Sequence, residues 1–129
     1  MQSVQDIMTT SVRTIHRNTF IDEVEGMFIT QNISGAPVVD DFGDMIGFVS
    51  KSDITRFNFT GEDPAYVRVH VITHPQVISI EISASIGEAA DLMLDKHVHH
   101  LVVMDEEDMV GVVSSLDFVK FVARNRNKF

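Results

Sequence analysis

The segment Gly47–Asp53 decides the fold of this chain, because the chain contains it twice. It reads Gly-Phe-Val-Ser-Lys-Ser-Asp, and Gly111–Asp117 reads Gly-Val-Val-Ser-Ser-Leu-Asp. Matches before the segment recur 65 residues apart (69 − 4), from Val4 and Val69 to Asp40 and Asp105. From the glycine onward the spacing is 64 (111 − 47), so the second copy lacks one residue in the turn before it. Such a repeat predicts two related half-units whose apolar faces cover each other.

Composition narrows the class of protein. The chain has 129 residues, 44% of them hydrophobic, which predicts one compact domain made of two halves. The net charge of −9 argues against nucleic-acid binding. No apolar run is long enough to cross a bilayer, and no charged-then-apolar leader precedes the first repeat. Cysteine is absent, which excludes disulfides and thiolate chemistry. We therefore expect a cytoplasmic protein without a membrane partner.

Each repeat is predicted to run strand–helix–strand–strand–helix. The first strands are expected at Val12–Ile15 and Val77–Ile80, where β-branched residues are frequent. Ser85 and Glu88 have the spacing of a capping box at the start of the helix that follows in the second repeat. Thr19 is the expected cap in the first repeat, where Ile21, Val24 and Phe28 have the spacing of a buried helical stripe.

The second half of each repeat is predicted to be a hairpin followed by a closing helix. The closing helices are expected to begin near Asp53 and Asp117. Repeat 1 is assigned to residues 1–60, a linker to 61–68 and repeat 2 to 69–129. The predicted hairpin strands are Ala36–Val39, Met45–Ser50, Leu101–Met104 and Met109–Ser114.

The Ser-x-x-Asp pair that ends each copied segment has two interpretations. In the structural one, Ser50 caps a helix and Asp53 lies in its first turn, which satisfies free amides without any ligand. In the functional one, the helix start and the serine hydroxyl attract an anion, and the carboxylate accepts two hydrogen bonds from a vicinal diol. Phosphate together with ribose is the ligand class that matches the second interpretation.

The ordered set of motifs resembles a cystathionine-β-synthase (CBS) domain, present twice between Val4 and about Phe121. The resemblance implies an α/β (α+β) fold of two βαββα repeats packed sheet to sheet with pseudo-twofold symmetry, a Bateman module. The motifs that carry it are Val12–Ile15, Ile33–Asp40 and Gly47–Asp53 in the first repeat, and Val77–Ile80, Val98–Asp105 and Gly111–Asp117 in the second.

The resemblance also implies a function. Such modules are regulatory, have no cofactor or catalysis of their own, and bind adenosine derivatives such as AMP, ADP, ATP or S-adenosylmethionine in clefts between the repeats. The aspartate would hold the ribose hydroxyls, the serine would assist with phosphate, and backbone would read adenine. One cleft would be formed by Arg13, Ile33, Ser34, Gly35, Ala36, Pro37, Ser114 and Asp117. The other would be formed by Ser50, Asp53, Ile78, Val98, His99, His100, Leu101 and Val102.

The two clefts are expected to differ. Gly35, Ala36 and Pro37 would let a flat base approach the main chain, whereas His100, Leu101 and Val102 predict a bulkier wall. Arg13, Lys51, Arg56, His99 and His100 are the cations available for phosphate, although the histidines could equally be solvated. His97, His99 and His100 lack the further ligands that a metal site needs, so no metal is expected.

The resemblance further implies assembly. A homodimer is expected, with Phe57, Phe59, Phe118 and Phe121 available for the contact, and a separate protein would be the regulated partner. The alternative is a structural or oligomerisation module with empty or degenerate clefts.

Overall fold

A computed structural model describes residues 2–128. The elements of the first repeat are β1 (Ile15–His16), α1 (Ile21–Gln31), β2 (Gly35–Val39), β3 (Met45–Ser50) and α2 (Lys51–Asn58). Those of the second are β4 (Ser79–Glu81), α3 (Ile86–Lys96), β5 (His100–Asp105), β6 (Asp108–Ser114) and α4 (Ser115–Arg124). The predicted order of strand, helix, hairpin and helix is therefore confirmed in both repeats. None of the helices within the described range has the length and apolar character of a membrane span.

The chain divides into two compact units that do not coincide with the sequence repeats. The first unit is Arg13–Val77, and the second unit joins Ile78 and the residues after it to the segment that ends at Val12. Val4 of that leading segment is fully buried, and its amide donates to the Ala84 carbonyl at 2.9 Å. Residues 2–12 therefore belong to the first repeat by sequence but to the second unit by packing.

Within residues 2–128, each unit contains one three-stranded sheet with the same topology. In the first unit β1 is parallel to β2, which is antiparallel to β3. In the second unit β4, β5 and β6 repeat that order. Gly35 lies opposite Ser50, and His100 lies opposite Ser114, so the two registers correspond as the repeat spacing predicts.

The first strand of each sheet begins later than predicted, and β1 is shorter than β4. In the second unit the Val102 amide donates to the Ile78 carbonyl at 3.0 Å, just before β4 pairs with β5. The corresponding residue of the first unit is Pro37, which has no N–H to donate. The ladder therefore begins only at Ile15 and Val38. Arg13, expected on a strand, lies before β1 and is exposed.

Each unit has its own apolar core. The predicted stripe of α1, made of Ile21, Val24 and Phe28, is fully buried. It packs with residues of β2, β3 and α2 in the first unit. In the second unit Ala89 and Met93 of α3 form the corresponding contact. The sheet residues of these cores are Ile15, Ala36, Val38 and Val49 in the first unit and Leu101, Val103 and Val113 in the second.

The two helix caps differ in kind. Ser85 caps α3 as predicted, because its Oγ accepts from the Glu88 amide at 3.0 Å. The prediction that Thr19 caps α1 is wrong, since the N-cap residue is Phe20. The Ile21 amide donates instead to the Val67 carbonyl at 3.0 Å, so a backbone carbonyl of the linker replaces a capping side chain as the acceptor.

Candidate functional site

The copied segment places a serine and an aspartate at the junction of a strand and a helix in each unit. β3 ends at Ser50 and α2 begins at the next residue, while β6 ends at Ser114 and α4 follows directly. The serine is the N-cap residue in both cases, with an extended backbone, and the aspartate lies in the first helical turn. The backbone at this junction is therefore the same in the two units.

The glycine that opens each segment is required by a close backbone approach. A Cβ atom on Gly47 would overlap the carbonyl oxygen of His74. A Cβ atom on Gly111 would lie 2.9 Å from the carbonyl oxygen of Thr9. In each unit a crossing segment, at His74 in the first and at Thr9 in the second, thus runs across the strand that leads into the helix. His74 forms a bridge with Phe48, and Thr9 forms one with Val112.

The segments expected to read adenine lie beside the motif of their own unit. The Lys51 amide, the first of α2, donates to the Ser34 carbonyl at 2.9 Å. The Ser115 amide, the first of α4, donates to the His99 carbonyl at the same distance, 2.9 Å. One free amide of each helix start is consequently already used. The combination of residues from different units in one cleft stays a prediction.

Asp117 is half-buried, and its hydrogen bonds with residues 2–128 involve one of its two carboxylate oxygens. Its Oδ2 accepts from the Ser114 amide at 2.8 Å and from the Ser114 hydroxyl at 3.2 Å. No hydrogen bond from any residue between 2 and 128 reaches its Oδ1. The capping interpretation is confirmed for this pair, and it leaves half of the carboxylate available.

Asp53 has the same inner contacts but a filled outer oxygen. Its Oδ2 accepts from the Ser50 amide at 2.7 Å and from the Ser50 hydroxyl at 3.0 Å. Its Oδ1 accepts from Arg56 Nη2 at 2.5 Å and lies 2.7 Å from His74 Nε2. A carboxylate only accepts, so the imidazole Nε2–H is the donor. Asp53 is 5% exposed.

These contacts determine what each carboxylate can do chemically. An ionised carboxylate offers about four lone-pair positions. At Asp53 all four are occupied by protein donors. At Asp117 the described residues leave two of them open, which is the number that a vicinal diol needs. Both arrangements hold a negative charge next to a helix start.

Comparison with known proteins agrees with this architecture. The family model described as CBS domain matches residues 4–59 and again residues 67–124. The chain belongs to the CBS domain family. The CBS domain-containing protein YhcV of Bacillus subtilis is 30% identical over 115 residues, which are 88% of this chain and 81% of that protein.

Other relatives are longer than this chain. An uncharacterized protein of Methanocaldococcus jannaschii is 29% identical over 121 residues, 94% of this chain. The chain spans 43% of the length of that relative and 32% of a second one from the same organism.

Solved structures share the fold over 96% of the chain. A protein with CBS domains from Burkholderia ambifaria has a TM-score of 0.90 at 26% identity, covering 96% of both chains. The CBS domain pair of protein MJ0100, in complex with 5′-methylthioadenosine and S-adenosyl-L-methionine, has a TM-score of 0.85 at 24% identity. It covers 96% of this chain and 98% of that one. The predicted family and the predicted fold are confirmed.

The expected difference in bulk between the two adenine segments needs a correction. Leu101 is fully buried in the core of the second unit, as Ala36 is in the first. Leu101 and Ala36 therefore belong to the cores of their own units. Val102 is buried as well, at 1% exposure, as is Pro37, so the residues of these segments that stay partly exposed are His100 and Gly35. Three other predicted residues are partly buried and pack against the core of their own unit: Ile33, Ile78 and Val98.

One of the cations that were expected to be available for phosphate in this CBS pair has a protein partner instead. Arg56, expected to face phosphate, is bonded to Asp53. Arg13, Lys51 and His99 are exposed. His97 has a left-handed backbone, φ 55°, and ends α3. Within the described range, no three His, Asp or Glu side chains are grouped as ligands for a metal ion.

The residue that sequence reasoning missed is His74. It lies 21 positions from Asp53, outside every motif, and only the folded chain brings the two together. The repeat alignment gives one weak indication of its importance. The residue that corresponds to His74, 65 positions earlier (74 − 9), is Thr9, so the two repeats differ at this position.

Proposed function

We propose that this CBS pair is a non-catalytic regulatory module that binds an adenosine-containing small molecule through its ribose hydroxyls at Asp117. The observation that carries the proposal is the free Oδ1 of that carboxylate, held in place by the two bonds that Ser114 donates to Oδ2. A preoriented acceptor with two open lone pairs suits two adjacent hydroxyl donors. Regulation would follow if the ligand binds one conformation of the module or its partner protein more tightly than another.

The ligand class has support from a structural relative. The CBS pair of protein MJ0100 is in complex with 5′-methylthioadenosine and S-adenosyl-L-methionine, and each of these molecules carries a ribose diol. AMP, ADP and ATP carry the same group. The diol is therefore the common chemistry, and the acidic net charge of −9 disfavours binding driven by phosphate alone.

Calorimetric titration of the wild type and Asp117→Ala with AMP, ATP and S-adenosylmethionine tests the proposal. The chain has no tryptophan, which makes heat a better signal than fluorescence. Losing the bonds between a charged carboxylate and the hydroxyls should weaken binding about 10- to 100-fold, or about 1.5–3 kcal/mol. In the wild type, 2′-deoxy-AMP should bind more weakly than AMP, and Asp117→Ala should abolish that preference.

Asp108→Ala is the matched control, because it also removes one negative charge, from an exposed position at the start of β6. It should leave the affinity for every compound unchanged. Undiminished binding by Asp117→Ala, or equal affinity of the wild type for AMP and its deoxy form, would show that the carboxylate does not hold the ribose.

A second candidate function, oligomerisation, has its own observation. α4 exposes an apolar face made of Leu116, Val119 and Val122, which are 53%, 61% and 51% exposed. This face replaces part of the predicted dimer contact, since Phe57 lies in the first core and Phe118 packs against the second. We propose that the homodimer buries the α4 face, whether or not the module also binds a ligand.

Sedimentation of the wild type and Val119→Glu tests the dimer. The wild type should sediment as a dimer and the variant as a monomer, because a buried unpaired charge is costly at an apolar contact. Arg124→Glu, at another exposed position of α4, should leave the dimer intact. A dimer that tolerates Val119→Glu would place the contact elsewhere. A dimer with silent titrations would favour the structural function.

A further inference from the structure

We infer that Arg56 and His74 close the Asp53 position to ribose, so that each chain has a single diol site, at Asp117. The inference rests on the proposed function, and it assigns to two residues of the first unit the role of excluding a ligand. We call Arg56 and His74 the Asp53 clamp.

The first step is the occupancy of the carboxylate. Asp53 Oδ1 is 2.5 Å from Arg56 Nη2 and 2.7 Å from His74 Nε2, and Oδ2 receives both bonds from Ser50. A diol could bind only by displacing donors that are already in place. Hydrogen bonds from a charged guanidinium to a carboxylate are about twice as strong as neutral ones, so hydroxyl groups are poor competitors.

The second step is that both clamp residues are anchored where they act. Arg56 is three residues after Asp53 on α2, a spacing that puts the two side chains on one face of the helix. His74 is held by its backbone, because its amide and carbonyl both bond to Phe48 at 3.0 Å. The close approach at Gly47 makes this bridge possible. Neither donor has to be recruited from a distant part of the unit.

The third step is that the second unit lacks the clamp. The residue equivalent to Arg56 is Lys120 (120 − 56 = 64), and the residue equivalent to His74 is Thr9 (74 − 9 = 65). Thr9 forms the same backbone bridge, with Val112, but its side chain is too short to reproduce the imidazole contact. Among residues 2–128, neither Lys120 nor Thr9 bonds to Asp117. The backbones of the two helix starts match, so the differences at Arg56 and His74 explain why Asp53 is closed to a diol and Asp117 is open.

Exchange of the clamp residues between the units is the decisive experiment. Arg56→Lys/His74→Thr gives the first unit the residues of the second, and Thr9→His/Lys120→Arg does the reverse. AMP and S-adenosylmethionine are titrated into both double variants and the wild type by calorimetry. We expect one equivalent bound per wild-type chain and two per Arg56→Lys/His74→Thr chain. Thr9→His/Lys120→Arg should bind at least 10-fold more weakly than the wild type.

The outcomes distinguish this inference from the proposed function. If wild-type chains bind two equivalents, or if Arg56→Lys/His74→Thr stays at one while correctly folded, the clamp does not exclude the ligand and the inference fails alone. If neither compound binds any variant, the proposed function fails. Urea unfolding then tests, without a ligand, whether the clamp holds Asp53. Arg56→Lys/His74→Thr should unfold at a lower urea concentration than the wild type. Equal midpoints would show that Asp53 is not held, which overturns the inference.

Discussion

The helix start at Asp53 and the helix start at Asp117 share a backbone but differ in what surrounds the carboxylate. In both, the serine amide and hydroxyl bond to Oδ2, at 2.7 and 3.0 Å for Ser50 and at 2.8 and 3.2 Å for Ser114. In the part of the chain that the structure describes, Asp53 has protein donors on Oδ1 and Asp117 has none there. The same four-residue motif is therefore a closed structural unit in one place and an acceptor with spare capacity in the other.

This difference teaches that a CBS motif alone does not define a ligand site. The Ser-x-x-Asp spacing secures the cap, because the cap needs only residues within one helical turn. Whether the carboxylate is free depends on a residue one turn later and on another from a distant segment, Arg56 and His74 in the first unit. A repeat can thus keep its architecture while one copy loses access for a ligand.

The largest expected effect comes from the glycines that admit the crossing segments. Gly47→Ala should destabilise the protein by about 3 kcal/mol, because its Cβ would meet the His74 backbone, which is bonded on both sides to Phe48. Gly111→Ala should cost less, about 2 kcal/mol, because its Cβ would lie 2.9 Å from the Thr9 carbonyl oxygen, a smaller backbone overlap than at His74, and its nearest atom is the flexible Met8 sulfur at 2.7 Å. Urea unfolding followed by circular dichroism measures both.

Gly26→Ala is the control for these two substitutions. Gly26 lies inside α1, and a Cβ there would meet nothing within 4 Å. Alanine should therefore stabilise the helix by about 0.5–1 kcal/mol. Equal losses at Gly47 and Gly111 would contradict this prediction, because they would show that the smaller backbone overlap at Thr9 does not lower the cost.

The repeat and the apolar pattern were sufficient for the architecture, for identifiable reasons. Strands β2, β3, β5 and β6 were predicted within about two residues of their observed ends, because hairpin strands are adjacent in sequence and are marked by β-branched residues. The stripe of Ile21, Val24 and Phe28 was predicted because helical spacing shows which face is buried.

The errors in the predicted starts of β1 and α1 arise from contacts between residues that are far apart in the sequence. The start of β1 depends on the missing N–H of Pro37, more than 20 positions later in the chain. The cap of α1 depends on the carbonyls of Pro64 and Val67, which accept from Asp22 and Ile21 at 3.1 and 3.0 Å. Local propensity contains no information about either contact, so a prediction made from neighbouring residues misplaces these ends.

The candidate site was predictable only in part. The serine and aspartate of each motif follow from local spacing, and so does their capping geometry. Sequence alone gave no reason to assign Arg56 to Asp53 rather than to phosphate, because one cation satisfies either anion. His74 carried no motif at all. The contrast between Asp53 and Asp117 therefore emerges from tertiary contacts, although the substitutions that cause it are visible once those contacts are known.

The smaller expected effect tests the contrast at the carboxylates themselves. Asp53→Ala should lower the free energy of unfolding by about 2 kcal/mol, because it removes four hydrogen bonds from a carboxylate that is 5% exposed. The loss stays below the value for a fully buried ion pair because the Arg56 and His74 side chains are 67% and 62% exposed and regain water. Asp117→Ala removes only the two bonds from Ser114 and should cost about 1 kcal/mol.

Urea unfolding at low salt and in 1 M NaCl separates the ionic contribution from the rest of each loss, since screening should reduce the loss at Asp53 more than at Asp117. Equal losses that respond equally to salt would show that the ionic contacts of Asp53 add no stability, and the two helix starts would then differ in geometry alone.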